Sequence, residues 1–355
     1  MPSYIQRFAE KGIALNRWAW FSIQVFIGAL MLALLLYFAD FERVMRVIFQ
    51  ADAGYVLMAA LTFILASVFA GYSLFILLER MGYSPSAFKT VMVSIAGQLI
   101  SDLTPARTGY FVTPMLLGGE LGVNFEDGMA AIVFTGAVQA FASVIMGGIA
   151  IVYFSSYIGS GAELIALFVF GLLPVALMGL ALVSVIHHTW LTKLIERAKN
   201  VPFIKPRTEQ VRQAIAAFQR SGRRVTGAAV QVAFFLVVAQ ALNSVALYLL
   251  ALSIGVMQVS PFGFVMTYAI AGFSMYAFVT IAGLGVQESM YALLLGLLGV
   301  VLDKATAIAM LARFFFTVTD FVGIPFLARL GVRSIPGLLT GGSSASNQGQ
   351  ATKRS

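Results

Sequence analysis

Residues 54–78 read GYVLMAALTFILASVFAGYSLFILL, a stretch without a single charged side chain. An α-helix needs about 20 consecutive apolar residues to cross the hydrocarbon core of a bilayer. This stretch is therefore long enough to span a membrane. Similar runs with few or no charges follow one another along the chain at 18–39, 129–158, 164–186, 225–253 and 305–330. We predict an all-α, polytopic bundle of membrane helices.

Composition excludes several classes of protein. Hydrophobic residues make up 60% of the chain and charged residues only 11%, whereas soluble domains carry roughly 25% charged residues. The chain has no cysteine, and its two histidines are adjacent, which argues against thiolate chemistry and a metal site. We also predict no cofactor. Although the net charge is +8, the basic residues lie between apolar runs, as in membrane proteins. We therefore predict no nucleic-acid partner.

Orientation follows from the distribution of lysine and arginine. The loop at 187–224 contains nine basic residues and only Glu196 and Glu209 as acids, so the positive-inside rule places it in the cytoplasm. We predict a single transmembrane domain over 1–335 in the cell membrane, with both termini cytoplasmic and 40–53 as an external loop. The first apolar run is too long for a cleaved signal sequence. The Gly- and Ser-rich tail at 336–355 is predicted to be disordered.

Two further apolar stretches, about 88–123 and 261–302, are each interrupted in the middle. The segment LGGELGVNFEDGMAAI at 117–132 aligns with LLGLLGVVLDKATAIA at 294–309, at an offset of about 177. We predict two repeats, about 54–158 and about 225–335, each made of a span, a broken segment and a span. The broken segments are predicted as re-entrant hairpins or pairs of short spans. Both termini lie on the same side if each broken segment returns to the side that it left. The predicted orientations make the repeats inverted, which is typical of transporters. Chance similarity between Leu- and Gly-rich segments is the competing explanation.

Both interruptions contain residues that end or loosen helices. The first break, SDLTPARTGY at 101–110, contains Pro105, which cannot donate a backbone hydrogen bond. The second, TIAGLGVQE at 280–288, contains Gly283 and Gly285. Non-helical backbone inside a membrane must be buried in protein or line a wet cavity, because lipid cannot satisfy its polar groups. Half-helices that restart there direct their N–H groups at an anion such as phosphate.

Five ionisable residues lie within apolar sequence, where each charge is costly. We predict Arg107 and Arg313 as anion ligands, and Asp102 and Glu288 as counter-ions or proton carriers. Asp320 follows Arg313 by seven residues, on the same helix face, and is predicted to pair with it. Purely structural roles stay open: a loop tip at the interface for the first break, a helix cap for Glu288, and close packing for the glycines.

The two breaks resemble the lysylphosphatidylglycerol synthase transmembrane-domain family, also described as flippase-like, over roughly residues 15–335. That family typically shows Thr-Pro-x-Arg-x-Gly-Glu, and later Gly-Gly-Leu-Gly-Val-Arg-Glu before a helix that carries an arginine. Here the stretches read TPARTGY and AGLGVQE, and Arg313 matches the later arginine. Tyr110, Ala282 and Gln287 depart from the pattern. The resemblance implies about eight membrane segments and a role with lipids, and the chain looks like the stand-alone form.

We therefore predict a lipid flippase or transporter, not an enzyme, that moves an anionic phospholipid or a polyprenyl-phosphate-linked lipid. Self-association into a homo-oligomer is left open. The alternatives are a secondary transporter of a small soluble solute and a membrane-embedded enzyme that acts on a lipid phosphate. The candidate substrate-binding residues are Asp102, Thr104, Pro105, Arg107, Gly109, Tyr110, Gly283, Gly285, Gln287, Glu288, Arg313 and Asp320.

Overall fold

A computed structural model describes residues 22–102, 104, 109, 112–157, 220, 226–272, 280 and 283–327. Every regular element in these ranges is a helix, as predicted. The α-helices are α1 (Ser22–Phe38), α2 (Phe41–Phe49), α3 (Ala53–Arg80), α4 (Ala87–Asp102), α5 (Thr113–Leu121), α6 (Phe125–Phe154), α7 (Ala229–Ser253), α8 (Pro261–Ala271), α9 (Val286–Leu297) and α10 (Leu302–Asp320).

Four helical stretches are long and apolar enough to cross a membrane: α3, α6, α7, and α10 continued to Leu327. The bent pair of α1 and α2 adds one more if it counts as a single span. The chain is therefore a multi-pass membrane protein. The predicted span at 164–186, the loop at 187–224 apart from Arg220, and the tail at 336–355 lie outside the described residues.

The segment at 40–53 is not the loop that we predicted, because it contains α2. The side chain of Asp40 caps this helix by accepting from the Arg43 amide at 3.4 Å. Val44 is fully buried and packs in one cluster with Ala307 of α10. Since α2 is turned by 83° from α1, a spanning α1 leaves α2 along the membrane surface, as in amphipathic interfacial helices.

Helices α3 and α7 share the most extensive contact among the described helices, and they are antiparallel. The amide of Asp52, just before α3, donates to the carbonyl of Ser253 at the end of α7 over 2.8 Å. At the other end, Arg80 Nη2 donates to Gln231 Oε1 over 3.1 Å. The bundle thus has a first face, where α3 begins and α7 ends, and a second face, where α3 ends and α7 begins.

The first broken segment is a re-entrant hairpin made of α4 and α5. Tyr83, before α4, donates from its hydroxyl to Asp127 Oδ2 at 2.7 Å and accepts from the Asn124 amide at 3.2 Å. Because Asn124 follows α5, both ends of this first hairpin meet at the second face. The nine residues of α5 extend only about 14 Å at 1.5 Å per residue, whereas the hydrocarbon core is about 30 Å thick.

The second hairpin, α8 and α9, opens at the first face. Gly263, near the start of α8, lies against Leu298, just after α9; a Cβ on this glycine would be 3.3 Å from Leu298 Cδ1. The two helices have 11 and 12 residues, or about 16–18 Å each. Both broken segments return to the face that they left. The hairpins also enter from opposite faces, which is the arrangement that inverted repeats require.

Matching glycines end matching helices in the two halves. Gly82 and Gly255, after α3 and α7, have φ of 92° and 72°, and Gly122 and Gly299, after α5 and α9, have φ of 66° and 85°. The second pair is 177 residues apart, as the alignment requires, but the first pair is 173 apart. The offset is therefore not constant, because the second hairpin segment is four residues longer. A common origin of the two halves stays a prediction.

Candidate functional site

The second break is held tightly against α1. Gly283 and Gly285 have φ of 72° and 77°, the left-handed region that glycine adopts without steric cost. A Cβ on Gly285 would lie 2.5 Å from the carbonyl oxygen of Gly28 and 2.8 Å from Met31 Cβ, both on α1. This non-helical backbone is therefore buried in protein, as the bilayer requires.

The carboxylate of Glu288 makes two interactions, one through each oxygen. Its Oε2 accepts from the Gly285 amide at 2.8 Å and so caps α9. Its Oε1 lies 3.4 Å from Arg313 Nε on α10, and only 1% of the Glu288 side chain is exposed. A capping role alone does not describe this residue, because the same carboxylate is the counter-charge of a largely buried arginine.

Arg313 also contacts the residue before Glu288. Its Nη1 donates to Gln287 Oε1 at 3.2 Å, and Gln287 Nε2 is 3.5 Å from the Tyr291 hydroxyl. We call Gln287, Glu288, Tyr291 and Arg313 the Glu288–Arg313 cluster. Its ion pair is loose, because charge-assisted N–H···O bonds are usually about 2.7–2.9 Å long. A ligand could therefore compete for the guanidinium.

The cluster opens into a small cavity between five helices, with room for about one or two water molecules. Asn243 of α7 contributes a buried Oδ1 that has no hydrogen-bond partner among the described residues. Phe63 and Phe316 meet edge to face at one wall, with ring centroids 6.3 Å apart. The lining residues are Phe63, Asn243, Leu247, Tyr268, Gln287, Glu288, Tyr291, Ala309, Ala312, Arg313 and Phe316.

Helix lengths place this cavity near the middle of the membrane. Phe63 and Asn243 are each ten residues from the first face, along α3 and α7, while Glu288 is nine and Arg313 eleven residues from it. At 1.5 Å per residue these positions are about 14–17 Å deep, close to half of the roughly 30 Å core. The second break is therefore not an interfacial loop tip. Charges at this depth, such as those of Glu288 and Arg313, are costly and usually have a function.

The first break begins with a compact turn. Thr104 Oγ1 donates to the Ser101 carbonyl at 3.0 Å and accepts from the Gly109 amide at 2.6 Å. A Cβ on Gly109 would lie 2.5 Å from the carbonyl oxygen of Ile100, so glycine is required there. Asp102 is the last residue of α4 and is half-buried. The other predicted site residues of this break, Pro105, Arg107 and Tyr110, lie outside the described residues.

Helix α10 connects the two hairpins. Arg313 contacts the second hairpin, whereas Gly323, just beyond α10, packs on α4 of the first. A Cβ added to Gly323 would lie 2.6 Å from the Ala96 amide nitrogen. Asp320, at the end of α10, is 2% exposed. The ion pair described for Arg313 is with Glu288, and pairing with Asp320 stays a prediction.

The structure brings five of the predicted residues together: Gly283, Gly285, Gln287, Glu288 and Arg313. Sequence reasoning missed the aromatic residues and the asparagine of the cavity wall, namely Phe63, Asn243, Tyr268, Tyr291 and Phe316. The available signal was Asn243, an amide in the middle of a span that has no charged residue. Chemically, this wall offers one guanidinium for an anion and one carboxylate that competes for it.

Comparison with known proteins confirms the family that the two breaks resemble. A family model described as the lysylphosphatidylglycerol synthase TM region matches residues 21–322. A comparison with curated proteins found no match. The matched range includes both hairpins and every residue of the cavity.

Proposed function

Because the chain belongs to the lysylphosphatidylglycerol synthase transmembrane-region family, we propose that it moves a lipid with an anionic headgroup across the cell membrane. The observation that carries this proposal is the Glu288–Arg313 cluster, which lies at mid-membrane depth on a re-entrant hairpin. The family supports a role with membrane lipids, and the charged cavity supports transport of a polar group.

A structural role explains the ion pair poorly. Buried ion pairs are often no more stable than well-packed apolar residues of similar volume, because desolvation cancels the attraction. A charge at the bilayer centre costs at least about 2.5–3.5 kcal/mol on insertion scales. Binding of a polar ligand at Glu288 and Arg313 would therefore explain why both charges are present at this depth.

Arg313 is the residue suited to hold the headgroup. A guanidinium presents five N–H donors in a planar fork that matches phosphate oxygens. The Arg313 side chain is 20% exposed, whereas Glu288 is 1% exposed, so an incoming group reaches the arginine more easily than its partner. A lipid phosphate would take the place of Glu288 at Arg313, while the acyl or prenyl chains stay in the surrounding lipid.

The two hairpins provide a route to each side. One opens at the first face and the other at the second. Arg313 of α10 contacts one hairpin, and Gly323, in the turn that follows α10, packs on the other. Rigid movement of one half against the other would expose the cavity to each face in turn, as in other transporters with discontinuous helices.

A transporter of a small soluble anion is the second candidate. The size of the cavity favours it, since room for about one or two waters suits a small solute better than a large headgroup. Both candidates share phosphate recognition at Arg313, and they differ in whether an acyl chain remains in the bilayer during transport.

The transport test uses purified full-length protein in vesicles that contain phosphatidylglycerol with a fluorophore on one acyl chain. Arg313→Gln removes the charge and should slow movement of the labelled lipid between leaflets at least about tenfold, because a hydrogen bond to a charged group contributes about 1.5–3 kcal/mol. Arg43→Gln is the matched control, since Arg43 is 68% exposed on α2, and it should behave as wild type.

Two results would change the assignment. Equal lipid movement in Arg313→Gln and wild-type vesicles would remove Arg313 from the mechanism. Uptake of labelled glycerol phosphate or inorganic phosphate, without any lipid movement, would replace the flippase with the soluble-anion transporter.

We also place both termini and the basic loop at 187–224 in the cytoplasm, as the lysine and arginine distribution supports. Because the chain has no cysteine, one cysteine introduced into this loop reports its side without background. A membrane-impermeant thiol reagent added to intact cells should leave that cysteine unmodified and react only after lysis. Labelling in intact cells would invert the topology.

A further inference from the structure

Two buried oxygens in the cavity wall accept no hydrogen bond from the described residues: Asn243 Oδ1, and Glu288 Oε1, which has only the 3.4 Å ion pair with Arg313. A buried acceptor without a donor costs about 1–3 kcal/mol. Two acceptors cannot satisfy each other, but one proton satisfies both, because a protonated carboxyl becomes a donor. Glu288 and Asn243 line the same cavity, which has room for a water that can join the hydroxyl of protonated Glu288 to Asn243 Oδ1.

Protonation of Glu288 also changes the state of Arg313. The ion pair at 3.4 Å is lost when the carboxyl is neutral, and the guanidinium then no longer has Glu288 as a counter-charge. The other titratable groups that face Glu288 are the phenols of Tyr268 on α8 and Tyr291 on α9. The walls from α3 and α7 contribute the uncharged Phe63 and Asn243 among others.

Nor does α1 add a charge next to the break. It approaches Gly285 through backbone atoms of Gly28 and Leu32 and through the side chain of Met31. Among the described lining residues, the formal charge of the cavity is therefore zero with Glu288 ionised and +1 with Glu288 protonated. One positive charge is balanced by a phosphodiester, which carries one negative charge; a phosphomonoester carries about 1.5 to 2 at neutral pH.

We propose that the site takes up one proton, shared between Glu288 and Asn243, together with one phosphodiester headgroup at Arg313. This inference rests on the proposed function. The proton binds Glu288 Oε1, and the neutral carboxyl no longer pairs with Arg313. The phosphate then takes the place of Glu288 and accepts hydrogen bonds from the guanidinium. On release, Glu288 loses the proton to water on that side and pairs with Arg313 again. Each cycle therefore carries one proton with one negative charge and is electrically neutral.

Asn243 is a positioning residue in this scheme, since it stabilises the protonated form of Glu288. Its test is the pH profile of lipid movement in vesicles with acyl-labelled phosphatidylglycerol, whose charge stays constant near neutral pH. The wild-type rate should rise as the pH falls. Asn243→Leu removes the acceptor, so its midpoint should move to lower pH by about one unit, which is the equivalent of one hydrogen bond.

Two further variants complete the design. Glu288→Gln is neutral at every pH and keeps an oxygen for the Gly285 amide, so its rate should not depend on pH. Gln240 lies one turn before Asn243 on α7, donates a hydrogen bond to Ser143 and does not line the cavity. The pH profile of Gln240→Leu should therefore match that of wild type. The midpoint of a profile does not depend on how much protein folds, which separates the role of Asn243 from a loss of expression.

The outcomes are distinct. Wild-type movement without pH dependence, or an Asn243→Leu profile that is unchanged or moved to higher pH, overturns the inference and leaves the proposed function standing. Absence of lipid movement at every pH overturns both. In a second arm at about pH 8, labelled phosphatidate, a monoester with nearly two negative charges, should move at least tenfold more slowly than phosphatidylglycerol; equal rates would overturn the charge match.

Discussion

Arg313→Leu will lower the free energy of unfolding by about 3–5 kcal/mol, because it removes the counter-charge of a carboxylate that is almost completely buried. Glu288 is 1% exposed, and its Oε1 has Arg313 as its ion-pair partner. Gln287 Oε1 also loses the donor that Arg313 Nη1 provides. Chemical unfolding of the purified protein in detergent measures the change.

The double variant Arg313→Leu with Glu288→Gln should recover most of that loss. Glutamine removes the unpaired charge and keeps an oxygen that can accept from the Gly285 amide, so the cap of α9 is retained. Replacing both members of a buried pair is often neutral or stabilising, whereas removing one is costly. Lipid movement should nevertheless be absent in both variants, because both lack the guanidinium.

The exposed pair of Arg43 and Asp40 provides the control. Its side chains are 68% and 50% exposed, and exposed pairs contribute about 0–1 kcal/mol, so Arg43→Leu should change stability little. If the double variant is as unstable as Arg313→Leu alone, an unpaired Glu288 is not the cause. A stable double variant without transport would separate the folding role of the pair from its functional role.

The spans were predictable because a membrane imposes a length. The apolar runs that contain α3, α6, α7 and α10 are each long enough to cross, and no soluble structure requires such runs. The nine-residue helix α2 was missed for the same reason. Its FERVMRVIF pattern is short and carries charges, so a search for uncharged runs of spanning length passes over it.

The breaks were predictable, but the hairpins were not. Proline and paired glycines indicate where a helix stops, and Gly283 and Gly285 do adopt left-handed conformations. Whether the chain then continues across the membrane depends on contacts such as that of Tyr83 with Asp127. These residues are 44 positions apart, and neither belongs to a motif.

The site shows the same limit. Isolated charges in apolar sequence marked Glu288 and Arg313 as unusual, yet the only pairing visible in a sequence is helical spacing, which suggested Asp320 for Arg313. The observed partner is on another helix, 25 positions earlier. Asn243 carries no charge, so its place in the same cavity wall as Glu288 and Arg313 emerges only from the packing of the helices.

Gly285→Ala will lower the free energy of unfolding by about 2–5 kcal/mol, because two costs add. A left-handed backbone costs an L-residue roughly 1–2 kcal/mol, and forcing a methyl into a tightly packed site typically costs about 1–3 kcal/mol. The methyl would lie 2.5 Å from the Gly28 carbonyl oxygen and 2.8 Å from Met31 Cβ. Denaturant unfolding in detergent and lipid movement in vesicles both report the effect.

Two other glycines separate these costs. Gly299 has φ of 85° and no atom within 4 Å of the place that a methyl group would occupy, whereas Gly296 is helical and also open. Gly299→Ala should therefore show the backbone cost alone, and Gly296→Ala should be neutral or gain up to about 1 kcal/mol from helix propensity. The excess loss in Gly285→Ala over Gly299→Ala measures the contact with α1.

Transport should fail in Gly285→Ala for a reason beyond stability. The Gly285 amide donates to Glu288 Oε2 at 2.8 Å, so a break displaced from α1 also moves the carboxylate that opposes Arg313. Gly299→Ala strains the far end of the same helix, at the first face, and should leave lipid movement intact. If both variants transport equally well, the close packing of the second break on α1 does not position the charge pair.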